Sequence, residues 1–118
     1  MDEAREQTYQ RKLKRHQLSS VVEIYDRVSG QHIGRLVNIH AEGLMIVGAT
    51  PLQDDKLYQL ELRLPEEINA RTTISIGVDC LWTRSAEQDK MHWTGGRIID
   101  ASDEALADIA ALIELLGE

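Results

Sequence analysis

The chain has a single cysteine, Cys80, among 118 residues. That excludes a disulfide framework within the chain and a cysteine-based metal cluster, and it fits a reducing compartment. No apolar run approaches the length needed to cross a membrane. The start, Met1 followed by Asp2 and Glu3, lacks the apolar stretch of a signal peptide. A cytoplasmic protein without membrane insertion is therefore expected. Positive charge is also scarce. The formal net charge is −7, which argues against a general binder of nucleic-acid polymers, because phosphate contacts dominate such binding. Internal repeats and low-complexity segments are absent. So are phosphate-loop, nucleophile-elbow and triad patterns, and no enzyme is expected.

The remaining composition, 42% hydrophobic and 28% charged, is that of one ordinary globular domain. Its charge is uneven. Residues 1–16 carry a balance of +2 and the remainder −9, and four basic residues fall between Arg11 and Arg15. A compact basic cluster on an acidic body suits a small, doubly charged anion better than a long polyanion.

Residues 1–17 are polar and without hydrophobic period, and are expected to form a flexible basic arm. The alternative is a short helix over Asp2–Arg15 that rests Tyr9 and Leu13 on the body. Residues 18–101 read as strands. Leu18–Asn38 suggests a hairpin with its turn in Asp26–Gln31, and Leu44–Val47 a short buried strand. Tyr58, Leu60, Leu62 and Leu64 alternate with polar residues until Pro65, which is expected to end that strand. Ile74, Ile76, Val78, Cys80 and Trp82 should share one face. Met91–Ile99 should be a last strand, its Gly95-Gly96 marking a bulge or a close backbone approach. Residues 102–118 read as a helix capped by Ser102 or Asp103. Leu106, Ile109, Ile113 and Leu116 lie on one face, and Gly117 ends it. The fold class expected is all-β with one C-terminal helix: six antiparallel strands closed into a barrel that leaves no free edge.

Two short segments carry the chemistry. Arg11-Lys12-Leu13-Lys14-Arg15 sets two guanidinium groups four residues apart. Such forks match phosphate oxygens and the O6/N7 edge of guanine, and they stack on base planes. A solvated basic run is the plain alternative. Asn38 through Gly43 joins two apolar runs in a turn-like hexapeptide. Asn38 offers a donor and an acceptor, and Gly43 allows positive φ or close approach of a ligand. An ordinary turn is the alternative here.

Together, an Arg-x-x-x-Arg pair (Arg11, Arg15) and a later Asn-x-His-x-x-Gly (Asn38, His40, Gly43) resemble the signature of the PilZ domain. The hairpin between the motifs, the strand after Gly43, the strand ending Cys80-Leu81-Trp82 and the final helix extend the resemblance over nearly the whole chain. It implies a six-stranded PilZ-type barrel, of bacterial signalling type, that binds cyclic diguanylate (cyclic di-GMP) as a ligand and needs no cofactor. By position, Arg11 and Arg15, with Lys12 between them, would contact phosphates and guanines, and Asn38, His40 and Gly43 would line the guanine pocket. Trp82 falls where some relatives place a tryptophan against a base, and it equally continues the inward alternation of its strand. The family usually has serine where this chain has His40. The resemblance also implies a monomeric receptor whose surface changes on binding and is read by an unidentified downstream protein. The alternative is a PilZ-like interaction module that does not bind the nucleotide.

His16, His32, His40 and His92 have no metal-ligand spacing, and no metal is expected. Cys80 reads as inert core. Glu66-Glu67 and Asp54-Asp55 read as solvated surface.

Overall fold

The computed structural model describes residues 16–17, 20–86 and 90–116. Among these residues the strands are β1 (His16–Gln17), β2 (Glu23–Asp26), β3 (His32–His40), β4 (Gly43–Gly48), β5 (Leu57–Ile68), β6 (Arg71–Ala86) and β7 (Met91–Asp100), followed by helix α1 (Asp103–Leu116). All pairings are antiparallel. Six strands close in the order β2-β5-β6-β7-β4-β3, with β3 returning to β2. Closure removes the unpaired edges that an open sheet would present. The two residues of β1 pair with the end of β3, His16 opposite Ile39 and Gln17 opposite Asn38. They belong to the sheet rather than to the expected arm.

With no phenylalanine in the chain, the barrel is filled by branched aliphatics. Ile24, Leu36, Ile39, Leu44, Ile46, Leu60, Leu62, Ile74, Ile76 and Val78 are buried in one cluster. These residues also have high strand propensity or alternate with polar neighbours, so local preference and burial agree. Gly34 and Gly48 let β3 and β4 touch backbone to backbone; a Cβ on Gly48 would sit 2.5 Å from the Gly34 Cα.

The β2–β3 hairpin follows the expected turn. Asp26 Oδ1 accepts the Val28 N–H at 2.8 Å, and Gly30 takes a left-handed φ of 78°. Pro65 does not end its strand, because β5 continues to Ile68. The β5–β6 register is irregular between Arg63 and Ile68, and at such an irregularity a residue without an N–H is tolerated. The hairpin closes through Asn69 and Ala70, both left-handed at φ 53° and 66°, as a two-residue primed turn requires.

Ser102 caps α1: its Oγ accepts the Ala105 N–H at 3.0 Å, and its carbonyl accepts from Leu106. The helix packs against β3, β5 and β6. Its buried stripe is Ala105, Asp108, Ile109 and Leu112, while Leu106 is exposed. The face is thus rotated from the expected one, and the cause is Asp108. Its carboxylate accepts from Arg71 Nε at 2.7 Å, Arg71 Nη2 at 3.0 Å and Asn69 Nδ2 at 2.9 Å. Arg71 also reaches Glu104 at 3.0 Å. A partnered carboxylate can be buried where a free one cannot. The clamp therefore turns Asp108 inward and fastens α1 to the β5–β6 hairpin. Leu116 side-chain placement and Gly117 lie outside the described residues.

Candidate ligand-binding site

Two bulges decide which side chains face outward. On β3 the pairs run Leu36 opposite Ile46, then Asn38 opposite Met45, so Val37 is an extra residue. Leu36 and Asn38, two apart, would share a face in a regular strand. The bulge instead leaves Leu36 and Ile39 in the core and turns Asn38 and His40 outward. On β6 the pairs run Cys80 opposite Gly96, then Trp82 opposite Gly95, with Leu81 extra and 48% exposed. Cys80 stays buried, whereas Trp82 leaves the inward row that alternation assigns to it.

The consequence is a row across the outside of the barrel: Trp82, Gly95, Met45 and Asn38, with β1 beyond it at Gln17. The next row along the same strands is Asp79, Arg97, Gly43 and His40. Glycine occupies one position in each row, Gly95 in the first and Gly43 in the second, and both are buried. The Trp82 indole lies directly on Gly95, where an added Cβ would run into the ring. Arg84 holds its guanidinium over Trp82, 5.8 Å from the ring centroid.

Asn38 is half-buried between Gln17 and Met45. Its Nδ2 is 4.0 Å from Met45 Sδ, and its Oδ1 is buried without a hydrogen-bond partner. A buried acceptor left unpaired costs about 1–3 kcal/mol. A donor arriving from a ligand would recover that cost. His40 sits at the last pair of the β3–β4 hairpin, opposite Gly43. Its Nδ1 accepts the Glu42 N–H at 3.1 Å. That bond, from a side chain to the N–H two residues on, is one a serine hydroxyl can also make. Gly43 is an extended strand residue flanked by His40 and Arg97, so it contributes absence of a side chain rather than a positive φ. Arg97 reaches Asp79 at 3.8 Å and stays largely exposed.

No family model matches the chain, and no curated protein matches it significantly. Solved structures do. MrkH of K. pneumonia in its apo state superposes with a TM-score of 0.68 at 14% identity, over 85% of this chain and 48% of that one. The Bacillus subtilis inhibitor of motility MotI/DgrA gives 0.63 at 17% identity, over 86% and 47%. The PilZ domain of YcgR from Escherichia coli, solved with cyclic di-GMP, gives 0.62 at 13% identity, over 87% and 89%. The fold is that of a PilZ domain. The chain spans about half the length of MotI/DgrA and MrkH, and nearly all of the YcgR PilZ domain.

Within this PilZ-type barrel, Asn38, His40, Gly43 and Trp82 come together on one outer face. Arg11, Lys12 and Arg15 lie outside the described residues, as does the expected arm or helix that carries them. In sequence, Arg15 immediately precedes His16, the first residue of β1. Met45 and Arg97 lie in the same two rows of this face. Only the cross-strand register reveals them, although Gly95-Gly96 did signal the close approach that Trp82 exploits.

Cys80 is buried, and burial, followed by the carboxylates of Asp54, Asp79 and Asp55, pushes its thiol up to about 11. Among the described residues no group of three or more His, Cys, Asp or Glu converges to hold a metal, and no helix is long and apolar enough to cross a membrane.

Proposed function

We propose that this chain is a receptor domain for cyclic diguanylate, which seats a guanine beside Asn38 and closes Arg11 and Arg15 over the phosphates. The observation that carries this is the buried, unpartnered Asn38 Oδ1, next to the strand that begins one residue after Arg15. The Watson–Crick edge of guanine supplies N–H donors suited to such an acceptor. Trp82, outward on Gly95, offers a stacking plane, and Gly43, without a side chain, borders the pocket opposite His40. The solved complexes of YcgR and of the Borreliella burgdorferi PlzA protein with cyclic di-GMP, both of similar fold, add support.

In this scheme Lys12 adds charge to the arginine pair, and His40 borders the pocket while its Nδ1 holds the hairpin turn. Docking of the basic segment on the acidic barrel changes the exposed surface, and a downstream protein reads the change. The chain acts as a monomeric cytoplasmic adaptor and performs no catalysis.

Calorimetry with cyclic diguanylate tests this directly. Saturable heat is expected, and Arg15→Ala should weaken binding about tenfold or more, since a lost charged hydrogen bond costs about 1.5–3 kcal/mol. His40→Ser should keep or improve affinity. Absence of heat at high micromolar ligand would refute the proposal. It would favour the second reading, an interaction module without nucleotide. The observation behind that reading is the His40 imidazole, which stands at the turn where the family signature has a small hydroxyl.

A further inference from the structure

Helix α1 is apolar beyond the stripe it buries. Leu106, Ala110 and Ile113 follow at i, i+4 and i+7 and form a second strip along one flank. Leu106 is 39% exposed, Ala110 is exposed and Ile113 is half-buried. Asp103 and Glu114 edge this strip on its solvent side, and α1 contains no basic residue. Among the described residues no cation pairs with either carboxylate. The strand registers show what lies nearby. Glu23 of β2 pairs with both Arg63 and Arg35, so β5 runs toward Ile68 in the direction that β3 runs toward His40. The β5–β6 turn, bound to Asp108 through Asn69 and Arg71, therefore shares one end of the barrel with the end of β3. Strand β1 is antiparallel to β3, with His16 opposite Ile39, so the chain enters β1 from that same end. At 100° per residue the strip lies on the side of α1 away from Asp108. Across the closed barrel from β5 and β6 stand β4 and β3, and β1 is attached to β3.

We propose that this strip is the docking site of the chain's own N-terminal segment, residues 2–15, which rests Tyr9 and Leu13 on Leu106, Ala110 and Ile113 as a short helix. Place, pattern and charge select this occupant. The segment joins β1 at the barrel end that α1 covers, and it is as long as the 14-residue α1, about 21 Å as a helix. Tyr9 and Leu13 are its only large apolar residues, and at four apart they lie side by side on a helix. Arg5 and Lys12, at i−4 and i+3 from Tyr9, flank that pair and meet the carboxylates of Asp103 and Glu114. A second copy of α1 would instead bring carboxylate against carboxylate. Arg11 and Arg15 each stand two residues beyond Tyr9 and Leu13, which on a helix is the opposite side. Docking on α1 therefore turns both guanidinium groups outward before any anion is bound. The docking is independent of the dinucleotide reading, since it concerns the ligand-free chain and uses neither Asn38 nor His40.

Disulfide trapping in the ligand-free full chain tests the docking. The Leu13→Cys, Ala110→Cys pair is compared with Leu13→Cys, Val28→Cys, in which Val28 is 83% exposed on the β2–β3 turn at the other end of the barrel. Native Cys80 is buried and serves in both. Under mild oxidation of dilute protein, the bond between positions 13 and 110 should form within one molecule about tenfold faster or more than that between 13 and 28, because docking raises the effective concentration of the two thiols. Adding Asp103→Lys and Glu114→Lys should slow it. Equal rates for the two pairs, or a bond between 13 and 110 that forms only between two molecules, would overturn the proposal. A cysteine-free readout is the amide NMR spectrum of Tyr9→Ser, Leu13→Ser. The resonances of Leu106, Ala110 and Ile113 should shift while that of Val28 stays in place, and unmoved α1 resonances would overturn the proposal equally.

Discussion

Replacing Asp108 by Asn should destabilise the fold at neutral pH by about 1.5–3 kcal/mol, the worth of hydrogen bonding to a charged group. The side chain is 2% exposed and accepts three bonds, two of them from the Arg71 guanidinium. Asparagine keeps the volume but replaces one acceptor oxygen by an NH2 group, which then faces another donor. The effect has a definite pH dependence. The Arg71 guanidinium foremost, and then the Asn69 amide, hold the Asp108 carboxyl below its ordinary value against the opposing effect of burial. A carboxyl depressed in the folded state gives its full stabilisation above the unfolded value of about 3.9, and loses it as pH falls through the lower folded value. Urea unfolding of both proteins from pH 7 down to about pH 3 should therefore show a full gap at pH 7 and 5.5 that narrows only below about pH 4. A gap that is the same at every pH would refute the charge argument. A gap below about 0.5 kcal/mol at pH 7 would refute the clamp itself, since it would match an ordinary surface change.

Three further outcomes follow from the backbone and the core. Ala70 holds a left-handed φ of 66°, so Ala70→Gly should stabilise the protein by roughly 0.5–1 kcal/mol in urea unfolding, the left-handed penalty less the added chain entropy. Gly48→Ala places a methyl group against the backbone of Ile33 and Gly34. Because neither can give way, the unfolding free energy should fall by about 2 kcal/mol or more. The Cys80 thiol, buried and raised to about 11, should stay unmodified by an aromatic disulfide reagent at pH 8 and react fully once the chain is unfolded. Rapid labelling of the native protein would show that β6 opens at that point.

Much of the architecture was readable because each strand announces itself locally. Ile74, Ile76 and Val78 alternate with polar residues and are buried as expected, and Ser102 caps α1 by the ordinary hydrogen bond. What could not be read were features that depend on partners distant in sequence. Asp108 looks like a solvated helix residue until Arg71, 37 positions away, is placed beside it. Pro65 looks like a strand end until the irregular register between Arg63 and Ile68 makes its missing N–H harmless. The candidate site shows the same division. Asn38 and Gly43 were legible as a short pattern, whereas Met45 and Arg97 join them only through cross-strand pairing.

Val37 and Leu81 bear most directly on function. Both are aliphatic, and neither carries the glycine or asparagine that usually marks an irregularity. Uninterrupted alternation would place Asn38 on the Leu36 face and Trp82 on the Cys80 face, and both of those partners are buried in the core. One extra residue in each strand reverses this. It puts an amide and an indole in the same outer row, with Gly95 and Met45 between them. The core keeps its aliphatic filling because β3 resumes its inward positions beyond the bulge, at Ile39, and β6 supplies Ile74, Ile76, Val78 and Cys80 before its own. The outer face can therefore be specified independently of the barrel's interior. Bulges re-aim side chains, and these two set a buried, unpaired acceptor and an aromatic ring on the outer side of an otherwise self-sufficient barrel.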